Sequence, residues 1–393
     1  MYIAMVEVFE IRYYQINKFL LSLIGQWPFQ STIKARIFFF IMLIFVLSQL
    51  FLQVTSTYCY WPDMDMFIES GSPILIAGIC AAKISNFIIN SRKMKKLLLK
   101  MQSHWMSLND SSEIEILKNY TIASHKMTLL YMRIVYSALT VFMIVPTLQS
   151  IAENVLPGRN QTYPLPFPID NIVNVEKYHK ILLIHSFIST YYFITVYISA
   201  DTMFLTYATH GCGMFAVLGN QLKNVSLENN EESSKKPDDE IYRKFLKYIK
   251  NHVEVLNFVE LLESTYSTTF LFQTGINVIS ISVTGMQIVL NIDNPDQVMR
   301  CMTNLSGQII QLYINSLPCQ RIIDHSFSIR DAVYSSPWYL FPKKIRPLIH
   351  IILMRVITPC QITAGKLYIM SMENFGMVLK TSMSYFTVLL SMR

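Results

Sequence analysis

Charge is scarce in this sequence. Asp, Glu, Lys and Arg make up 15% of its residues, against roughly 25% in an average soluble domain. With 52% of the residues apolar, that deficit excludes an ordinary soluble domain and leaves membrane composition. Catalytic signatures are missing as well: no HExxH, P-loop or GxSxG occurs, and the glycines of "GCGMFAVLG" (211–219) sit at the wrong intervals for a dinucleotide fold. Close helix packing through small residues accounts for those glycines, and an enzyme is not expected. The six cysteines, Cys59, Cys80, Cys212, Cys301, Cys319 and Cys360, lack CxxC spacing and His neighbours at metal-ligand intervals. Buried free thiols are therefore expected, with no metal and no cofactor; only Cys59 and Cys301 fall near the outer side, where no pattern supports a disulfide. No internal repeat is visible, which weakens a transporter built on inverted halves. No cleavable leader is visible either, since 36 mixed polar residues precede the first apolar run and no small-residue site closes it.

Long apolar runs are what the sequence has. Crossing a bilayer core takes about 20 helical residues. Seven stretches reach that scale: 37–54, near 71–90, 127–151, 181–207, 264–290, 299–319 and 368–392. Hydrocarbon offers backbone groups no partner, and the alternating ten-residue segments of a barrel are absent, so the spans are helices. The expected class is an all-α polytopic membrane protein.

Basic residues set the expected orientation, because Lys and Arg mark loops that stay inside. Four lie before the first span (Arg12, Lys18, Lys34, Arg36), seven in 91–126, seven in 220–260 and seven in 320–367. The other side carries none in 55–70, three in 152–180 and one in 291–300. The N-terminus is placed in the cytoplasm and the C-terminus outside, the inverse of a G-protein-coupled receptor. In this topology Asn160 of "NQT" is a glycosylation candidate, whereas Asn109, Asn119 and Asn224 face inward. The apolar piece 348–362 is short, holds His350 and Arg355 and is broken by Pro359, which reads as a buried or interfacial helix rather than a span.

The chain divides into a cytoplasmic N-terminal segment (1–36), a six-helix bundle (37–319), a cytoplasmic anchor region (320–367) and a last helix (368–393). Residues 208–222 continue the fourth helix below the membrane. Residues 238–265 carry Ile241, Phe245, Tyr248, Ile249, His252 beside Val253, Leu256 and Val259 at three-and-four spacing, which predicts one amphipathic helix running into the fifth span. Between them "LENNEESSKKPDDE" (227–240) is polar and unpatterned and is expected to be disordered.

The last helix has an unusual face. At 100° per residue Met377, Thr381, Ser384, Val388 and Met392 fall on one side, with Ser391 about 60° from Val388. Two readings stand: small hydroxyls let a neighbouring helix approach closely, or several copies of this face surround a water-filled path with a Val ring as an apolar constriction. Lys380 in mid-helix and Glu373 nearer the cytoplasm favour water or a bundle interior over lipid, and Glu373 suits a cation-attracting inner mouth. Lys83 and Arg133 lie close enough to the cytoplasmic face to snorkel, with no function assigned.

The segment "SSPWYLFPKKIRPLIHIILMRVITPCQITAGKLYIMSMENFGMVLKTSMSYFTVLLSMR" (335–393) resembles the C-terminal signature of insect odorant receptors in its Trp and Pro-bearing piece, cytoplasmic helix, "ITAGKLY" junction and closing "SYFTVLL". The resemblance implies a ligand-gated non-selective cation channel, a tetramer whose final helices line a central pore. It places the gate on Val388 and Met392, and Ser391 where the obligate co-receptor has glutamine. The inner loop 223–250 is much shorter than the co-receptor's, which implies a ligand-tuning subunit that assembles with the co-receptor in the membrane of olfactory neuron dendrites. It further implies that small volatile odorants bind in the outer half of the bundle. There the third helix offers Tyr136, Thr140, Met143 and Ile144, and the fourth offers His185, Ser189, Tyr192 and Phe193; ordinary bundle packing uses the same residue types. No nucleic-acid partner is expected. Two other classes stand beside this reading, a seven-helix receptor signalling through a G protein or other soluble partner and a membrane scaffold without transport.

Overall fold

The computed structural model describes residues 9, 12–61, 64–155, 165, 175–223 and 237–392. Asn160 and most of the polar stretch 227–240 lie outside them. Among the described residues the chain forms a short α1 (Gln15–Leu23) and then α2 (Thr32–Cys59), α3 (Met64–Ile89), α4 (Ser91–Ser107) and α5 (Ser111–Val155). These are followed by α6 (Val175–Lys223), α7 (Pro237–Leu290), α8 (Pro295–Ser335), α9 (Arg346–Val356) and α10 (Met372–Ser391).

Six of the seven apolar stretches fall in helices, and the seventh does so only from Met372, four residues later than expected, because Tyr368 and Ile369 pair in a strand and Ser371 caps the helix. Five, in α2, α3, α5, α6 and α7, are long and apolar enough by length and composition to cross a membrane. Helices α8 and α10 are less apolar because they carry buried amides (Gln308, Gln311, Asn315) and charges (Glu373, Lys380) respectively. The outward side of α2 remains uncovered, with Ile37, Phe40, Ile44, Leu47 and Phe51 all more than half exposed. Such a contiguous apolar face is stable only against another apolar medium.

Helix α6 is the axis of the bundle. It packs on α8, α5, α7, α2 and α3, and nearly every residue from 193 to 218 is buried. A helix hydrophobic or small all round is a helix surrounded by others. Its lower half continues past 207 to Lys223, and α7 begins at Pro237 and runs unbroken into the fifth span, so both helix extensions exist. On α7, Phe245, Tyr248, His252, Val255, Phe258 and Val259 turn inward. Val253 differs from the expected stripe: it is 47% exposed, because at 100° per residue it lies on the far side from Val255 and Val259.

Local chemistry sets several boundaries. The Asn294 side chain accepts a hydrogen bond from the Gln297 N–H and Pro295 occupies the first turn of α8, a cap plus a preset φ. The Ser371 hydroxyl accepts from the Asn374 N–H at 3.1 Å to start α10. Helix α9 spans only 11 residues, as the short-helix reading required. It leads into a two-stranded hairpin, β1 (Thr363–Ala364) and β2 (Tyr368–Ile369), in antiparallel register. The hairpin turns at Gly365, whose φ of +63° suits a residue without Cβ. A Cβ there would also strike the Leu271 side chain at 2.5 Å. The Gly365 N–H donates to the Ser267 carbonyl at 2.9 Å, so the "ITAGKLY" junction is pinned to α7 just before α10 begins.

Helix α1 is packed into the bundle. Leu20 is buried with Tyr131, Ile198 and Ile314, and the Asn17 amide donates to the Thr206 hydroxyl at 2.6 Å. No disulfide joins the six cysteines; Cys80, Cys212, Cys319 and Cys360 are buried, but Cys59 is exposed and Cys301 half-buried. Burial thus holds for four of the expected thiols, and the two set apart in the sequence lie at the C-terminal end of α2 and in the first turns of α8.

Candidate functional site

The terminal helix uses one face to dock and leaves the other uncovered. Val378 and Ser382 are its buried residues. The Ser282 hydroxyl on α7 donates to the Ser382 carbonyl at 2.8 Å, and Phe375 meets Tyr313 of α8 edge-on at 6.0 Å. Thr381, Ser384 and Val388 lie about 100°, 160° and 120° around the helix from Ser382. All three are exposed, as are Glu373, Lys380, Ser391 and Met392, with Val388 at 51% and Met392 at 81%. The hydroxyls of Ser384 and Ser391 donate back to the carbonyls of Lys380 and Val388, at 3.1 and 2.8 Å. Such back-bonding leaves their remaining acceptor capacity outward. The six expected pore residues therefore share the surface that this chain does not cover.

The eight expected ligand residues divide into groups. An open groove of about 790 Å³ lies between α1, α5 and α6, lined by Ile16, Phe19, Leu20, Leu23, Met132, Tyr136, Phe187, Tyr191, Tyr192 and Thr195. Its volume is within the roughly 300–1,000 Å³ of small-molecule sites, and its wall is apolar with a few hydroxyls, as such sites are. Tyr136 and Tyr192 line it. Tyr136 shares a hydrogen bond with Thr195 at 2.8 Å and stacks on Tyr191 at 6.2 Å, and Thr140 joins the same network through the Tyr191 hydroxyl at 3.0 Å. His185 and Ser189 sit apart, where His185 Nε2 shares a hydrogen bond with Ser48 of α2 at 2.8 Å. Phe45 of α2 stacks on Tyr192 and lies tilted against His185. Met143 and Phe193 are core residues, and Ile144 is 41% exposed on the outside of α5. The structure thus brings three of the eight together. Sequence reasoning missed Tyr191, Phe187 and the contribution of α1, whose amphipathic face was hidden in a segment assigned to the cytoplasm.

Lys83 corrects the snorkelling reading. It is 3% exposed and its ammonium is ion-paired to Asp201 of α6, while lying 5.2 Å from the centre of the Tyr197 ring. Asp201 also accepts from the Tyr131 hydroxyl at 3.0 Å and from the Asn315 amide at 3.1 Å. One carboxylate therefore gathers α3, α5, α6 and α8. In a low-dielectric interior a charge persists only when paired and hydrogen-bonded, which is why Lys83 cannot reach for the surface. Asp201, a lone acid inside the apolar stretch 181–207, was the available signal. Arg133 is exposed, as a snorkelling residue would be.

Below the bundle, His104 of α4 and His210 of α6 meet edge to edge with parallel ring planes, their Nδ1 and Nε2 atoms 3.1 Å apart, with Phe258 of α7 against both rings. Burial, and secondarily the charge of Lys100, lowers the His104 pKa to about 4. The pair is thus held neutral, one ring donating and the other accepting.

Comparison with known proteins follows the same lines. A family model described as "7tm Odorant receptor" matches residues 63–383. Odorant receptor Or2 of Anopheles gambiae is 21% identical over 340 residues, spanning 86% of this chain and 87% of that protein. The odorant receptor coreceptor of Aedes albopictus is 22% identical over 175 residues, 43% of this chain and 36% of that one. The solved structure of the insect olfactory receptor OR5 from Machilis hrabei in complex with eugenol superimposes with a TM-score of 0.74 at 15% identity, over 96% of this chain and 97% of that chain.

Proposed function

The chain belongs to the 7tm odorant receptor family, a family of membrane receptors rather than enzymes, and on that premise we propose that it is the ligand-tuning subunit of an odorant-gated, non-selective cation channel. The observation that carries this reading is the surface of α10. Its hydroxyl-bearing stripe lies opposite the face docked on α7, so in an assembly of several copies it is free to border a shared axis. Water there would be met by Thr381, Ser384 and Ser391, with Val388 and Met392 as an apolar constriction that closes by dewetting and Glu373 drawing cations to the inner mouth.

In this proposal the N-terminus is cytoplasmic and the C-terminus outside, and the subunit joins a co-receptor in a heterotetramer at the dendritic plasma membrane. Small volatile molecules bind in the membrane-embedded part of the bundle. The groove beside Tyr136, Thr140 and Tyr192 supplies shape, dispersion and a few hydroxyls to orient such a ligand. Asn160, on the outer side in this topology, is glycosylated.

Two measurements test the reading. Tags at both termini report sidedness; an external N-terminus sinks the topology and favours a receptor that signals through a cytoplasmic partner. Odour-evoked current on co-expression with the co-receptor should change in gating or ion preference with Val388→Ala and Val388→Lys. Current unaffected by both removes α10 from the pore.

A further inference from the structure

We propose that the bundle holds one ordered water molecule at the junction of α3, α6, α7 and α8, four-coordinated by Lys83, Tyr266, Gln273 and Asn315. The four side chains line a cavity of about 10 Å³ beside Asp201, room for a single water. All four are at most 3% exposed. Three of them present polar atoms with no protein hydrogen-bond partner: the Tyr266 hydroxyl, Gln273 Oε1 and Asn315 Oδ1. Leaving such a buried group without a partner is destabilising, and native interiors relieve the cost with ordered water.

Donors and acceptors balance. The Lys83 ammonium has three N–H donors, and Asp201 takes one. The Asn315 amide is fixed in orientation because its Nδ2 donates both to Asp201 Oδ1 and to the Gln311 carbonyl, each at 3.1 Å. Its Oδ1 is therefore an acceptor, as is Gln273 Oε1. A water molecule accepts from Lys83 and from the Tyr266 hydroxyl and donates to the two amide oxygens, which uses all four of its sites. A metal cation would sit beside an ammonium that already neutralises Asp201, and an anion would face two carbonyl oxygens. The chemistry left is a neutral molecule of one heavy atom.

The water has a structural consequence. Tyr266 and Gln273 bring α7 to this node, and α7 also carries Ser282, whose hydroxyl holds α10. The solvent molecule thus joins the helix that positions the terminal one to the Lys83–Asp201 pair.

Radiolytic footprinting tests this directly. The full chain in lipid nanodiscs is exposed to a brief X-ray pulse and hydroxyl-radical products are mapped by mass spectrometry. A bound water makes radicals in place, so Tyr266 should be oxidised despite its burial, while Phe245, equally buried in the lower region and away from this cavity, should not. Mixing with isotopically labelled water should report slow exchange at Tyr266. Two variants remove the water by different means. Gln273→Leu deletes an acceptor, and Ala200→Val, at the cavity wall, fills the space while leaving every polar group. Either should reduce Tyr266 oxidation to the Phe245 background. A Tyr266 signal at background in the native chain, or one undiminished in whichever variant folds, overturns the proposal.

Discussion

The Ser282 hydroxyl on α7 bonds the backbone carbonyl of Ser382 on α10, 100 residues later in the chain, at 2.8 Å. Three residues on, Gly285 leaves room for the Phe386 ring, which a Cβ at that position would meet at 3.2 Å. One hydroxyl and one missing side chain therefore set how close the terminal helix lies to the fifth span. Ser282 can also donate to the Val278 carbonyl at 2.7 Å, so its loss is partly compensated. Ser282→Ala should cost about 1 kcal/mol and shift the agonist dose-response less than tenfold. Gly285→Leu, which must displace Phe386, should shift it further. Dose-response curves on the co-expressed channel decide this, and native behaviour in both variants would mean that α7 does not position α10.

The Lys83–Asp201 pair predicts a non-additive response. Removing one partner leaves an unpaired buried charge, worth about 3–5 kcal/mol of destabilisation. Lys83→Met alone and Asp201→Asn alone should each lower the melting temperature of the detergent-solubilised protein strongly. The double variant should recover part of the loss, because no isolated charge remains and Tyr131 and Asn315 keep an oxygen to bond. Additive losses would place the two residues in separate environments.

Ligand chemistry should be readable at the groove. Tyr136→Phe removes the hydroxyl that Thr195 shares at 2.8 Å while keeping the ring, so it should alter ranking among polar and apolar volatiles more than overall sensitivity. Tyr192→Ala removes a ring that lines the groove and stacks on Phe45, and should weaken every ligand by roughly tenfold or more. Concentration-response panels separate the two outcomes. Unchanged responses in both variants would move the ligand out of this groove.

Acidity should loosen the lower region. His104 is a base whose pKa is depressed by burial to about 4 when folded, below its unfolded value near 6.5. The unfolded chain thus binds the extra proton first, and stability falls as pH drops through the interval between the two values. By about pH 5 the loss from this residue is on the order of 2 kcal/mol. Thermal melts across this range should show the slope, and His104→Phe should flatten it, His210 keeping part. A slope unchanged by the substitution would assign it elsewhere.

Much of this was legible in the sequence because solvent leaves few options. Apolar length forced the helices, three-and-four spacing announced the lower half of α7, and Pro359 with two charged or titratable residues kept α9 short. The hydroxyl-bearing stripe on α10 was visible from 100° periodicity, but periodicity left open whether it packs on a neighbour or stays uncovered. What the sequence hid were relations between distant elements. Lys83 looked like a surface-seeking charge because its position along α3 was legible and its partner Asp201 on α6 was not. Tyr136 and Tyr192 meet in a groove only because α1 folds back onto α5 and α6, a docking that no local pattern encodes. His185 and Phe193 share the fourth helix with Tyr192 yet face α2 and the core, because residues facing lipid, a neighbouring helix or a groove are all apolar or aromatic here and their order along the helix does not tell these faces apart.

The central claim is that water reaches the uncovered stripe of α10 when the channel opens, and cysteine accessibility measures it most directly. Single cysteines at 381, 384 and 388, with 378 and 382 as packed controls, are exposed to a charged thiol reagent with and without odorant while current is recorded. The account predicts odorant-dependent modification that alters current at the first three positions and none at the controls. Protection of 381, 384 and 388 in both conditions, in a channel that still conducts, would contradict it.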